Sequence, residues 1–119
     1  MSTDPIADLQ VRLRDFATER DWEQFHTPKN LTMALAGEVG ELLEIFQWLT
    51  PKQAQAVMES ARADDVEDEL ADVLIYLVRL ADILDIDLQA AAEGKLDRNE
   101  QRFPASDVQG RADVPARDA

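Results

Sequence analysis

The sequence contains no cysteine, which rules out both disulfides and thiolate-ligated metal centres. Histidine is nearly as scarce. His26 stands alone, so a di-iron helical bundle, which needs a Glu-x-x-His pair on each of two helices, is excluded together with its redox chemistry. Only four glycines occur, none of them after Asn or Asp, and no run alternates apolar with polar residues. Strand and hairpin signals are therefore weak throughout. No stretch approaches 18 consecutive apolar residues and no charged-then-apolar segment opens the chain, so it reads as soluble and cytoplasmic, with no membrane partner. Positive charge is short as well: 12 Lys and Arg stand against 25 Asp and Glu, a formal net charge of -13. That balance argues against a nucleic-acid polymer as partner. A P-loop, a GxGxxG turn and a nucleophile–base pair are all missing.

What the sequence does contain is helical periodicity. The first helix is expected from Pro5 to about Glu19, capped by Asp4, with Ile6, Leu9, Leu13 and Phe16 as its buried stripe. A polar segment from Arg20 to Pro28 follows. Its Trp22 and Phe25 rings are too apolar to be left in water and should dock. Asn30 is read as the cap of a second helix ending near Trp48 or Leu49. Thr50-Pro51-Lys52-Gln53 has the form of a capping box opening a short third helix. A fourth helix, from Asp64 or Asp65 to Leu84, is apolar over so much of its circumference that it is either central or packed against another subunit. Only Asp68, Arg79 and Asp82 are read as pointing away from that apolar surface. Asp87 caps a fifth helix to about Arg102, stopped by Phe103-Pro104. The expected architecture is an all-α bundle of four or five helices over residues 1–104. Residues 105–119 lack periodicity and are expected to form a disordered tail.

Inside this pattern four acids sit where acids are costly. Glu38 and Glu41 lie on the second helix, Glu69 and Asp72 on the fourth, each pair three residues apart on one helix face. Projected at about 100° per residue, Leu31, Leu35, Val39, Leu42, Phe46 and Leu49 form one apolar sector, and Glu38 falls about 20° outside its edge. A carboxylate there needs a cation, a proton or a partner. Carboxylates alone, without His or Cys, suit Mg²⁺ or Mn²⁺, ions usually bound together with substrate phosphates. Flank acids salt-bridged to arginine, on a helical interaction module whose charges only aid solubility, are the competing reading. Lys95, Asn99 and Arg102 make one stripe on the fifth helix, open either to phosphates or to plain solvation of a helix end. Trp48 ends the acid-bearing helix and Tyr76 stands one turn beyond Asp72, so both are placed to wall a pocket.

Glu38-x-x-Glu41 and Glu69-x-x-Asp72, the latter followed by Val73-Leu74-Ile75-Tyr76, resemble the MazG-type all-α nucleoside triphosphate pyrophosphohydrolases. The likeness is closest to their dCTP pyrophosphatase branch. Arg20 to His26, Asn30-Leu31, Gly37 to Leu42, Phe46-Gln47-Trp48 and Lys95 to Asn99 extend the resemblance over about residues 6–104. It implies hydrolysis between the α and β phosphates of a nucleoside triphosphate, most readily dCTP or a modified dCTP, to the monophosphate and pyrophosphate. Another nucleotide, such as dUTP, a general dNTP or phosphoribosyl-ATP, would serve the same chemistry. It further implies that Glu38, Glu41, Glu69 and Asp72 hold Mg²⁺ and act in catalysis. Lys95 and Asn99 would contact phosphates or sugar with Tyr76 nearby, while Trp22 and Trp48 would enclose the base with His26 near that pocket. Homo-oligomers, dimers or tetramers built as dimers of dimers, would complete each site from two subunits. Leu13 stands where relatives can carry a polar residue beside the base.

Overall fold

The computed structural model describes residues 4–117, and every regular element among them is helical. Helix α1 spans Pro5–Glu19 and begins where a capping aspartate meets a proline preset for the first turn: the Asp4 carboxylate accepts from the Ile6 and Ala7 amides. Helix α2 (Pro28–Phe46) starts two residues before Asn30. Thr27 is its cap, its hydroxyl accepting from the Asn30 amide, and Pro28 takes the first position. Asn30 serves instead as a strap, its side-chain amide donating to the Phe25 carbonyl and tying the aromatic loop to the new helix. Thr27→Ala should cost about 1 kcal/mol, read as a lower urea midpoint; an unchanged midpoint would show that Pro28 alone suffices.

Two aspartates in the left-handed region end helices here. Asp21 (φ 54°) follows α1 and Asp85 (φ 55°) follows helix α4 (Ala63–Ile83). In both, the amide one residue further on bonds back across the turn: Trp22 N to Ala17 O and Ile86 N to Ala81 O, each 2.9 Å. These are Schellman closures built on Asp rather than the usual Gly. The first reverses the chain so that Trp22 returns over Phe16, ring centroids 5.7 Å apart and edge to face. Trp22 thus packs on Phe16 as expected but stays 43% exposed, and Phe25 remains exposed.

Between α2 and α4, the Thr50–Gln53 capping box opens helix α3 (Pro51–Gln55), with both of its reciprocal bonds made. A 3₁₀ turn at Val57–Glu59 then brings Val57 into a small core with Ile45 and Val66, flanked by Phe46 and Leu49. Helix α4 packs along α2 and, over a shorter length, against α1.

Two compact units divide between Ile86 and Asp87. The second holds helix α5 (Leu88–Arg102), capped by Asp87 as expected, and the single turn α6 (Ala105–Val108), where Arg117 pairs with Asp107 at 2.7 Å.

Burial on α4 departs from the sequence reading at two places. Arg79, placed outward by that reading, is only 4% exposed. Leu70, Leu74 and Leu77, placed in the apolar face, are 54%, 42% and 37% exposed. The physical reason is that α4 meets α1 and α2 along its flanks, which takes in Arg79 and leaves the middle of the stripe bare.

Candidate active site

Helices α2 and α4 lie side by side, so their acidic pairs face one another. Carboxylate oxygens of Glu38, Glu41 and Glu69 come within 4.8 Å of each other. Asp72 is outside that close trio, though its charge still acts on Glu38. None of the four carboxylates makes an ion pair among the described residues, which removes the reading of flank acids neutralised by arginine. Glu38 Oε2 and Glu69 Oε2 are buried with no hydrogen-bond partner.

The electrostatics follow from that crowding. Burial, and the crowding of the Glu38 and Glu41 carboxylates against it, push the Glu69 carboxyl up to about 7. For Glu38 the adjoining Glu69 carboxyl, the more readily protonated of the two, pulls downward. Burial and repulsion from Glu41 and Asp72 outweigh it and leave a net rise. Buried polar atoms in folded proteins find partners, and two orphaned carboxylate oxygens aimed into one cluster fit a metal ion. An all-oxygen donor set suits a hard divalent cation.

One turn further along α4 begins a cavity of about 370 Å³, large enough for a small ligand. Tyr76, four residues after Asp72, lines it together with Leu9, Leu13, Phe16, Trp22, His26 and Ile75, and with Arg12 and Arg79. Trp22 also stands edge to face with His26, centroids 6.4 Å apart. Trp22, His26 and Tyr76 thus line one cavity.

Trp48 is not part of this wall. Helix α2 ends at Phe46, and the following turn carries Trp48 outward to 85% exposure. Lys95 and Asn99 share one face of α5 in the second unit, Lys95 exposed and Asn99 half-buried.

The sequence reading missed Arg79, Arg12 and Phe16 as cavity residues. For Arg79 the signal was present: Asp72, Tyr76 and Arg79 fall at i, i+4 and i+7, a single stripe along α4. No helix among the described residues is long and apolar enough to cross a membrane.

With this geometry in hand, the relatives are informative. The model of the MazG-like family matches residues 34–112. The rat protein dCTP pyrophosphatase 1 (Rattus norvegicus) is 48% identical over 109 residues, covering 90% of this chain and 64% of the rat protein. The human protein of the same name (Homo sapiens) is 49% identical over 102 residues, covering 84% of this chain and 59% of its own length. The chain therefore spans somewhat less than two thirds of these relatives. The crystal structure of a pyrophosphatase from Archaeoglobus fulgidus superposes with a TM-score of 0.79 at 41% identity, covering 87% of this chain and 96% of that one.

Proposed function

The chain belongs to the MazG-like family, and from that premise we propose that it is a Mg²⁺-dependent nucleoside triphosphate pyrophosphohydrolase. Its substrate in this reading is dCTP or a base-modified dCTP, cleaved to the monophosphate and pyrophosphate as nucleotide-pool house-cleaning in the cytoplasm. The observation that carries the reading is the pair of buried, unpartnered oxygens on Glu38 and Glu69, set beside Glu41. Relatives named for dCTP pyrophosphatase activity support the substrate class.

Glu38, Glu41 and Glu69 would hold Mg²⁺, or Mn²⁺ in its place, with Asp72 as a fourth acid. The ion would supply Lewis-acid polarisation of the phosphate under attack. Trp22, His26 and Tyr76 would hold the base in the apolar cavity, and Lys95 and Asn99 would take phosphate or sugar oxygens. Trp48, exposed on its own chain, would close over the base within an assembly. That assembly, a dimer or a dimer of dimers, is favoured by the bare Leu70, Leu74 and Leu77 stripe, because apolar contiguity of this kind marks a protein–protein surface.

Incubation with dCTP and Mg²⁺, with products separated by ion chromatography, tests the bond that breaks. Equal amounts of dCMP and pyrophosphate are expected; dCDP with single phosphate would refute the proposed cleavage. Because Leu13 offers the cavity no hydrogen bond, the same assay run on dUTP, other dNTPs and phosphoribosyl-ATP decides the base preference.

A further inference from the structure

Arg79 is buried and lines the cavity, and its guanidinium donates in two directions. Nε donates to Nδ1 of His26 at 3.1 Å, and Nη1 donates to Asp82 Oδ2, also at 3.1 Å. Asp82 is gripped in turn by Arg14, whose Nη2 and Nε reach its two oxygens at 2.6 and 3.0 Å. The position of the Arg79 fork is therefore set by a bidentate ion pair behind it.

A guanidinium offers only donors and keeps its proton throughout the accessible pH range. The nitrogen it faces must then present a lone pair. An imidazolium has none to offer, and of the two neutral tautomers only one leaves Nδ1 bare: the form protonated at Nε2. Burial first, and the Arg79 charge second, lower the His26 pKa, which agrees with a neutral ring. Nε2 has no hydrogen-bond partner among the described residues, while the ring itself lines the cavity. The cavity, walled by Leu9, Leu13, Phe16 and Ile75 and also lined by Trp22, Tyr76, Arg12 and Arg79, thus carries an imidazole N–H whose proton cannot move to the other ring nitrogen without breaking the bond to Arg79.

We infer that Arg79 is a positioning residue that locks His26 as the Nε2–H tautomer, and that this fixed donor selects a base presenting a hydrogen-bond acceptor to the cavity. The inference rests on the nucleotide reading above for its ligand class. A ring carbonyl oxygen meets the requirement. An edge that presents only N–H groups would set donor against donor and leave both unpaired in an apolar site.

His26 is the only histidine, so both ring nitrogens can be assigned in long-range proton–nitrogen spectra of the histidine-labelled full-length chain. At neutral pH the spectrum should show Nδ1 bare and Nε2 protonated, and Arg79→Met should release the ring to a mixture of tautomers. If Arg79→Met does not fold, the wild-type spectrum still decides: a mixed or Nδ1–H ring overturns the lock. Titration with dCMP should shift the Nε2 resonance. His26→Phe should weaken dCMP binding roughly fivefold to tenfold, the loss of one hydrogen bond, and His26→Gln, which restores an N–H donor, should recover most of it. Equal dCMP affinity for wild type and His26→Phe overturns the donor role. Failure of the wild type to release pyrophosphate, with tautomer and dCMP shift as expected, would sink the proposed reaction and leave this inference standing.

Discussion

Glu69→Gln is expected to reduce pyrophosphate release at least about a hundredfold and, in the metal-free chain, to raise the melting temperature at pH 8. The two effects have one cause. Glu69 is crowded against Glu38 and Glu41, and its carboxyl is pushed up to about 7 from an ordinary 4.5. Below pH 4.5 it is neutral whether the chain is folded or unfolded, so it costs nothing. Between 4.5 and 7 the unfolded chain gives up this proton while the folded chain still holds it, and folded stability falls as pH rises. Above 7 the folded state carries the full repulsion. An amide of the same shape removes that charge, so the variant should melt at the wild-type temperature at pH 4 and above it at pH 8. A bound divalent ion should cancel the wild type's deficit and shift the variant less. Melting curves with EDTA and with Mg²⁺ at both pH values test this; a variant less stable than wild type at pH 8 in EDTA would contradict the crowding.

Asp82→Ala is expected to destabilise the chain by about 3–5 kcal/mol, the usual cost of leaving a buried charge without its counter-ion. Arg79 is 4% exposed and leans on Asp82 and on a neutral imidazole. Arg14, by contrast, is half exposed and can return to water when its partner is removed. The loss falls chiefly on Arg79. Hydrogen bonding from Arg14, opposed by burial and aided by the charges of both arginines, holds the Asp82 carboxyl below its ordinary 3.8. Its contribution is therefore complete above pH 3.8 and disappears as pH falls through the lower folded value. This runs opposite to the glutamates, so the metal-free chain should be most stable in mild acid, between the two windows. Urea unfolding across that range checks the sign and size. A loss under 1 kcal/mol would mean that Arg79 escapes to solvent.

Local chemistry was the legible part of the sequence. Asp4-Pro5 and Thr50-Pro51-Lys52-Gln53 announce helix starts because each carries its own hydrogen-bond acceptor and a preset backbone angle, and both form where expected. Thr27 and Asn30 are competing caps three residues apart. Proline at position 28 decides for Thr27, which frees Asn30 for the Phe25 carbonyl. Asp21 and Asp85 end their helices in the left-handed region without the glycine that would have marked those ends. The three glutamates were readable as a group because two helices repeat the same spacing. Arg79 was not: its charge suggested solvent, whereas its register with Asp72 and Tyr76 placed it on the site's own stripe. The exposed Leu70, Leu74 and Leu77 were legible as apolar, but no periodicity distinguishes a face covered by the same chain from one covered by another.

The central claim is that the glutamate cluster and the aromatic cavity form one site for a metal and a nucleoside triphosphate. A calorimetric titration of a nonhydrolysable dCTP analogue, run with Mg²⁺ and again with EDTA, tests it most directly. The account predicts saturable binding with Mg²⁺ that weakens strongly in EDTA. Binding of equal strength in both, or none in either, would contradict it, and the latter is what a helical module with merely solvating acids would give.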